Sequence, residues 1–104
     1  MNIRQNTDGA VMTLSLEGEL DHHGALETAG ELKRLVETAL PPKVRLDMAA
    51  VPFMDSSGIA VVMGTYKSAS GIGSKFEVTG LSPQPMKVLK AAGIDKILAL
   101  FGRE

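Results

Sequence analysis

Two short runs near the amino terminus alternate apolar with polar residues, which is the pattern of half-buried β-strands. The clearer run, residues 10–17, places an apolar side chain at every second position, and a weaker run covers residues 2–7. The Asp8-Gly9 dipeptide between them is a typical hairpin turn. The two runs are therefore predicted to pair as antiparallel strands.

The apolar spacing then changes to a helical period. From Ala25 to Leu40, apolar residues recur every three or four positions and charged residues occupy the other face. Pro41-Pro42 ends this predicted helix, because neither proline has an N–H and the first disfavours helical geometry at the preceding residue.

The rest of the chain alternates strands and helices. Three more strands are predicted, at residues 43–49, 75–79 and 97–101. Two more helices are predicted. One runs from the Asp55-Ser56-Ser57-Gly58 cluster to Gly71. The other is capped by Ser82, begins at Pro83 and is ended by Gly93. The order β-β-α-β-α-β-α-β indicates an α/β fold, with a small mixed sheet and helices packed on it, over one domain of residues 1–104.

The composition argues against several classes of function. The sequence is 44% hydrophobic and 22% charged, typical of a soluble domain, and 11 Lys and Arg against 12 Asp and Glu give a net charge of -1. We therefore expect no nucleic-acid partner, because no positive field exists to hold a phosphate backbone. There is no Cys for a thiolate metal site, and no apolar run approaches the roughly 20 residues of a membrane span. A cytoplasmic protein without cofactor, metal or membrane partner is expected.

The most informative segment is the one where a predicted strand leads into the second helix, Met54-Asp55-Ser56-Ser57-Gly58. The first N–H groups of a helix lack partners and carry partial positive charge, so they can hold a phosphate attached to a serine. The simplest interpretation is that Asp55 or Ser56 merely caps the helix. Met54, in the loop before Asp55, is expected to be exposed at a contact surface. Gly58 is expected to let a partner backbone approach Ser56.

Asp21-His22-His23 follows the end of another predicted strand. Consecutive residues rarely point at one metal ion and no third ligand is evident, so the pattern favours a loop with Asp21 as a helix cap. If the two strands are neighbours, however, Asp21 and Asp55 flank Ser56. Such an acidic pocket suits Mg²⁺ on an incoming nucleotide, or repels a phosphate once it is attached.

Two segments together closely resemble bacterial anti-sigma-factor antagonists of the STAS domain family. They are Gly18-Glu19-Leu20-Asp21-His22-His23 and Phe53-Met-Asp-Ser-Ser-Gly-Ile-Ala-Val-Val-Met-Gly-Thr-Tyr-Lys67. The resemblance covers essentially the whole chain, including the Leu-x-x-Ala-Gly-Ile element that ends at Ile94.

The resemblance implies a switch at the serine directly after the motif aspartate, here Ser56. In the family a partner that is both serine kinase and anti-sigma factor phosphorylates this serine. The unmodified domain binds that partner and frees the sigma factor, the phosphorylated domain does not bind, and a separate serine phosphatase resets it. Asp21, Asp55, Ser57 and Gly58 correspond to the surrounding surface.

The sequence thus predicts a non-enzymatic switch with Ser56 as phosphoacceptor and with partner contacts at Asp21, Met54, Asp55, Ser57 and Gly58. One alternative is a STAS module that binds a protein in a transport or stress-signalling complex without phosphate turnover. An alternative from another class is a hydrolase with Ser56 as nucleophile. The Gly-x-Ser-x-Gly elbow that such an enzyme needs is broken, because Met54 stands where the first glycine belongs.

Overall fold

The computed structural model describes residues 1–103, which form five strands, three α-helices and one 3-10 turn. The strands are β1 (Asn2–Asp8), β2 (Val11–Glu17), β3 (Lys43–Ala50), β4 (Lys75–Leu81) and β5 (Ala99–Gly102). The helices are α1 (Ala25–Ala39), α2 (Ser56–Gly71) and α3 (Pro83–Ala91), followed by the 3-10 turn (Ile94–Lys96). The α/β class and the order of elements predicted from the sequence are confirmed.

The strands form one mixed sheet in the order β1-β2-β3-β4-β5. β1 and β2 are antiparallel, and every later neighbouring pair is parallel. From β2 onwards, each connection leads to the adjacent parallel strand, always towards the β5 edge of the sheet. Right-handed crossovers therefore place all three helices on one face of the sheet. The carboxyl ends of β2 and β3 therefore lie side by side, and the connections to α1 and α2 leave from the same edge of the sheet.

The core lies between this face and the helices. β2 and β3 alternate buried and half-buried residues along their length, because successive side chains point to opposite faces of a sheet. The fully buried side chains include Met12, Leu14, Leu16, Val44, Leu46, Met48, Leu32, Val36, Val62 and Leu89. The opposite face is polar; there Glu77 accepts a hydrogen bond from Arg45 at 3.0 Å. No helix within residues 1–103 combines the length and apolarity needed to cross a bilayer.

The last strand begins two residues later than the alternation predicts. Ile97 has a helical backbone conformation, with φ -104° and ψ -40°, because its N–H donates to the Ile94 carbonyl and closes the 3-10 turn. β5 therefore starts only at Ala99.

Candidate functional site

Two loops meet beyond the carboxyl ends of β2 and β3. The Leu20 N–H donates to the Phe53 carbonyl at 2.9 Å, and the Asp55 N–H donates to the Leu20 carbonyl at 3.2 Å. These bonds form an isolated parallel bridge between Leu20 and Met54, which extends the pairing of β2 with β3 past the regular strands. The two strands are neighbours, so the condition set by the sequence is met, and the loop that carries Asp21 adjoins the loop that carries Asp55.

Asp55 is the residue that caps α2. Its backbone is extended, with φ -101° and ψ -170°, and its Oδ1 accepts a hydrogen bond from the Ser57 N–H at 2.8 Å. Its Oδ2 accepts from the His22 N–H at 3.3 Å. One carboxylate therefore satisfies an N–H of the helix and also ties the neighbouring loop to it.

These hydrogen bonds set the ionisation of Asp55. Partial burial of the side chain raises its pKa, but the hydrogen bonds donated by Ser57 and His22 lower it by more. The pKa therefore lies below its usual value of 3.8, and the carboxylate is ionised throughout the physiological range. The surface beside Ser56 carries a fixed negative charge.

Replacing Asp55 by Asn is expected to remove a pH-dependent part of the stability. Because the folded-state pKa of Asp55 is lowered, its charge stabilises the fold fully above pH 3.8, and this contribution is lost as pH falls through the folded-state pKa. The free energies of unfolding of wild type and Asp55→Asn, measured by urea denaturation from neutral pH to below pH 3.8, should therefore converge at low pH.

Asn can still accept a hydrogen bond as a cap, so this comparison isolates the charge. Glu19→Gln controls for net charge, because Glu19 is exposed on the same edge of the sheet. A difference between wild type and Asp55→Asn that did not change with pH would contradict the role assigned to the Asp55 carboxylate.

The two serines occupy different environments. Ser56 is the first residue of α2 and is exposed. Ser57 is half-buried, and its side chain lines a cleft of about 320 Å³ between α1 and α2. Because Asp55 serves as the cap, α2 does not depend on the Ser56 hydroxyl, which is left facing solvent.

Asp21 does not cap α1, so that expectation is wrong. Gly24 holds the cap position, and its carbonyl accepts the Thr28 N–H. Asp21 instead closes its own loop, where its Oδ1 accepts from the His23 N–H at 3.0 Å. The nearby His22 Nδ1 lies 3.7 Å from Asp55 Oδ2. Within residues 1–103, no three His, Cys, Asp or Glu side chains are grouped as a metal site.

The exposure predicted for Met54 is wrong. The Met54 side chain is fully buried, whereas that of Phe53 is 42% exposed. The bridge to Leu20 continues the in-and-out alternation of a strand through this loop, which turns Met54 towards the core and Phe53 outwards. Any effect of Met54 on a partner must therefore act through the position of its neighbours.

Gly58 also has an internal reason to be small. It is buried, and a Cβ placed on it would lie 2.6 Å from Met54 Cε, 3.1 Å from Met54 Cβ and 3.2 Å from Leu20 Cδ2. The space above the missing side chain is filled by residues of this chain. The expectation that it admits a partner backbone at Ser56 is therefore wrong.

Sequence reasoning missed two features of this site. Gln84 is the second residue of α3, and its side-chain amide forms hydrogen bonds with the backbone N–H and the carbonyl of Met54. No local sequence pattern indicates a contact between residues 30 positions apart. Leu26, in the first turn of α1, lines the cleft beside Ser57 and is 87% exposed. The exposure of Leu26 could have been predicted, because Leu26 is an apolar residue on the charged face of the predicted helix.

Comparison with known proteins agrees with this geometry. The sequence profile of the STAS domain matches residues 2–104. An anti-sigma F factor antagonist of Paenibacillus polymyxa is 27% identical over 104 residues, which span 100% of this chain and 89% of the relative.

Two solved structures share the fold. An anti-sigma factor antagonist from Mycobacterium paratuberculosis superposes with a TM-score of 0.85 at 24% identity, over 96% of this chain and 84% of that one. The phosphorylated form of the Bacillus cell fate determinant SpoIIAA gives a TM-score of 0.70 at 20% identity, over 95% of this chain and 90% of that one. The family resemblance in the sequence is confirmed, and the chain belongs to the STAS domain family.

Proposed function

We propose that this chain is an anti-sigma factor antagonist controlled by phosphorylation of Ser56. The unphosphorylated form binds an anti-sigma factor that is also a serine kinase, and this frees the sigma factor. Phosphorylation of Ser56 abolishes binding, and a serine phosphatase restores it. The observation that carries the proposal is the exposed Ser56 at the start of α2, beside a cap that Asp55 supplies. The similarity to an anti-sigma F factor antagonist supports the same role.

The position of Ser56 lets the domain tolerate a phosphate. A negative group at a helix N-terminus gains about 0.3–1 kcal/mol from the helix dipole. Because Asp55 rather than Ser56 caps α2, modification of the hydroxyl breaks no capping bond. The phosphorylated SpoIIAA structure has the same fold, which supports a fold that persists after modification.

The same phosphate is unfavourable for a bound partner. It adds about -1.5 to -2 charges at neutral pH to a surface where Asp21 and Asp55 already lie. A partner that packs against a neutral hydroxyl would have to desolvate this charge, at a cost of several kcal/mol. Phosphorylation should therefore break the complex while the fold survives.

We place the partner contact on the side chains around Ser56 that are at least partly exposed. They include the sequence-predicted Asp21, Asp55 and Ser57, to which the structure adds Phe53 and Leu26. Leu26 and Ser57 line the cleft between α1 and α2, which is wide enough to admit an apolar side chain of the partner. Met54 and Gly58 contribute by packing beneath this surface.

Phosphate transfer from ATP tests the proposal directly. Incubation with the purified anti-sigma factor kinase of the same host should place one phosphate on Ser56, located by fragment-ion mass spectrometry. Ser56→Ala should lose the label, whereas the matched control Ser57→Ala should retain it.

Two other outcomes would contradict the proposal. Phosphate found on Ser57, or undiminished phosphate incorporation in Ser56→Ala, would show that Ser56 is not the phosphorylated residue. A partner that binds but transfers no phosphate would favour a STAS interaction module without phosphate turnover.

A further inference from the structure

The start of α3 is attached to the loop that carries the Ser56 site. Ser82 holds the cap position of α3, but its side chain makes no capping hydrogen bond, so the predicted side-chain cap is wrong. The buried hydroxyl instead donates to the Val51 carbonyl at 3.0 Å. Two residues later, Gln84 contacts Met54 in the same loop. The residue before α3 and the second residue of α3 thus hold the two ends of the segment between β3 and Asp55.

The contact between Gln84 and Met54 is a pair of hydrogen bonds. Gln84 Nε2 donates to the Met54 carbonyl at 2.9 Å, and the Met54 N–H donates to Gln84 Oε1 at 2.9 Å. Both distances are ideal for N–H···O bonds. The amide therefore pairs with Met54 as a neighbouring strand would, and satisfies backbone groups that lie partly out of water.

Met54 is also held on its other side. Its bridge to Leu20 joins it to the end of β2, and its side chain is packed against Gly58. The next residue along the chain is Asp55, whose carboxylate must reach the Ser57 N–H for α2 to begin at Ser56. A fixed Met54 backbone thus determines where the Asp55 cap and the Ser56 hydroxyl lie.

We propose that Gln84 is a positioning residue for the Ser56 switch: by holding both backbone groups of Met54, it presents Asp55 and Ser56 in the geometry that the kinase accepts. This inference rests on the proposed function. It assigns to α3 a part in phosphorylation, through the contact of Gln84 with the loop before Asp55.

Gln84→Ala tests the inference, with Ser82→Ala as the matched control. Ser82→Ala removes the bond from the residue before α3 to Val51, three residues before Met54 in the same loop, and so measures a merely structural loss. The first readout needs no kinase and is the pKa of Asp55, followed by NMR. Gln84→Ala should raise this pKa towards 3.8, because the cap no longer meets its N–H donors in a fixed geometry.

The second readout is phosphorylation by the host anti-sigma factor kinase. Gln84→Ala should lower kcat/KM for Ser56 about tenfold, because a displaced acceptor hydroxyl is poorly aligned for phosphoryl transfer. Ser82→Ala should leave both readouts near the wild-type values. Gln84→Glu turns a charged acceptor towards the Met54 carbonyl, which is itself an acceptor, so it should lower kcat/KM at least as much as Gln84→Ala.

An unchanged Asp55 pKa in Gln84→Ala would overturn the inference, as would equal changes in Ser82→Ala. If wild type itself accepts no phosphate, the proposed function fails. In that case the Asp55 pKa still decides whether Gln84 positions the cap. The two failures are therefore distinguishable.

Discussion

Ser56→Glu is expected to bind the anti-sigma factor about 100-fold more weakly than Ser56→Ala. The glutamate places a charge beside Asp55, at an interface that must exclude water. An unpaired charge buried there costs about 3 kcal/mol or more, which corresponds to this factor in the dissociation constant. Ser56→Ala removes the phosphoacceptor without adding charge, so it should bind constitutively. Titration calorimetry on the two variants measures the difference.

The structure provides controls for this comparison. Because Asp55 caps α2, Ser56→Ala should unfold at the same temperature as wild type. Ser70→Glu adds the same charge at an exposed position at the opposite end of α2, and it should bind normally. Equal affinities of Ser56→Ala and Ser56→Glu would contradict the electrostatic mechanism. A loss of binding in Ser70→Glu would point to net charge instead of position.

Local patterns were sufficient to predict most of the fold. Alternation predicts β2 because its inner face packs on helices and its outer face is polar, which leaves a clear period of two. The helices are predicted because their ends carry local signals, such as the prolines after α1 and the proline that opens α3. The start of β5 was misplaced because the 3-10 turn, a tertiary feature, extends into an apolar run.

The sequence predicts only those features of the site that depend on residues adjacent along the chain. The spacing of Asp55, Ser56 and Ser57 predicts a capped helix, and the cap is present. The burial of Met54 depends on Leu20 and Gln84, which lie 34 residues before and 30 residues after it along the chain. Contacts at that separation leave no periodic signal, so the sequence could not show which side chains of this loop face solvent.

Gly58→Ala is expected to destabilise the domain and weaken partner binding, whereas Gly64→Ala is expected to stabilise it. Both glycines lie in α2, so alanine brings each a similar gain in helix propensity of up to about 1 kcal/mol. A Cβ at Gly64 meets nothing within 4 Å, but at Gly58 it would lie 2.6 Å from Met54 Cε. Overpacking of this kind costs about 1–3 kcal/mol. The free energies of unfolding of the two variants should therefore differ by about that amount.

The effect of Gly58→Ala should pass to the partner surface through Met54. To admit the new methyl group, Met54 must shift, and its backbone directly precedes the Asp55 cap. Met54→Leu removes the Cε atom, so combining it with Gly58→Ala should recover part of the lost stability and affinity in a double-mutant cycle. If Gly58→Ala were as stable as Gly64→Ala, the packing beneath Ser56 would be looser than these distances indicate. If Gly58→Ala lost affinity while its stability was unchanged, Gly58 would act at the partner surface itself.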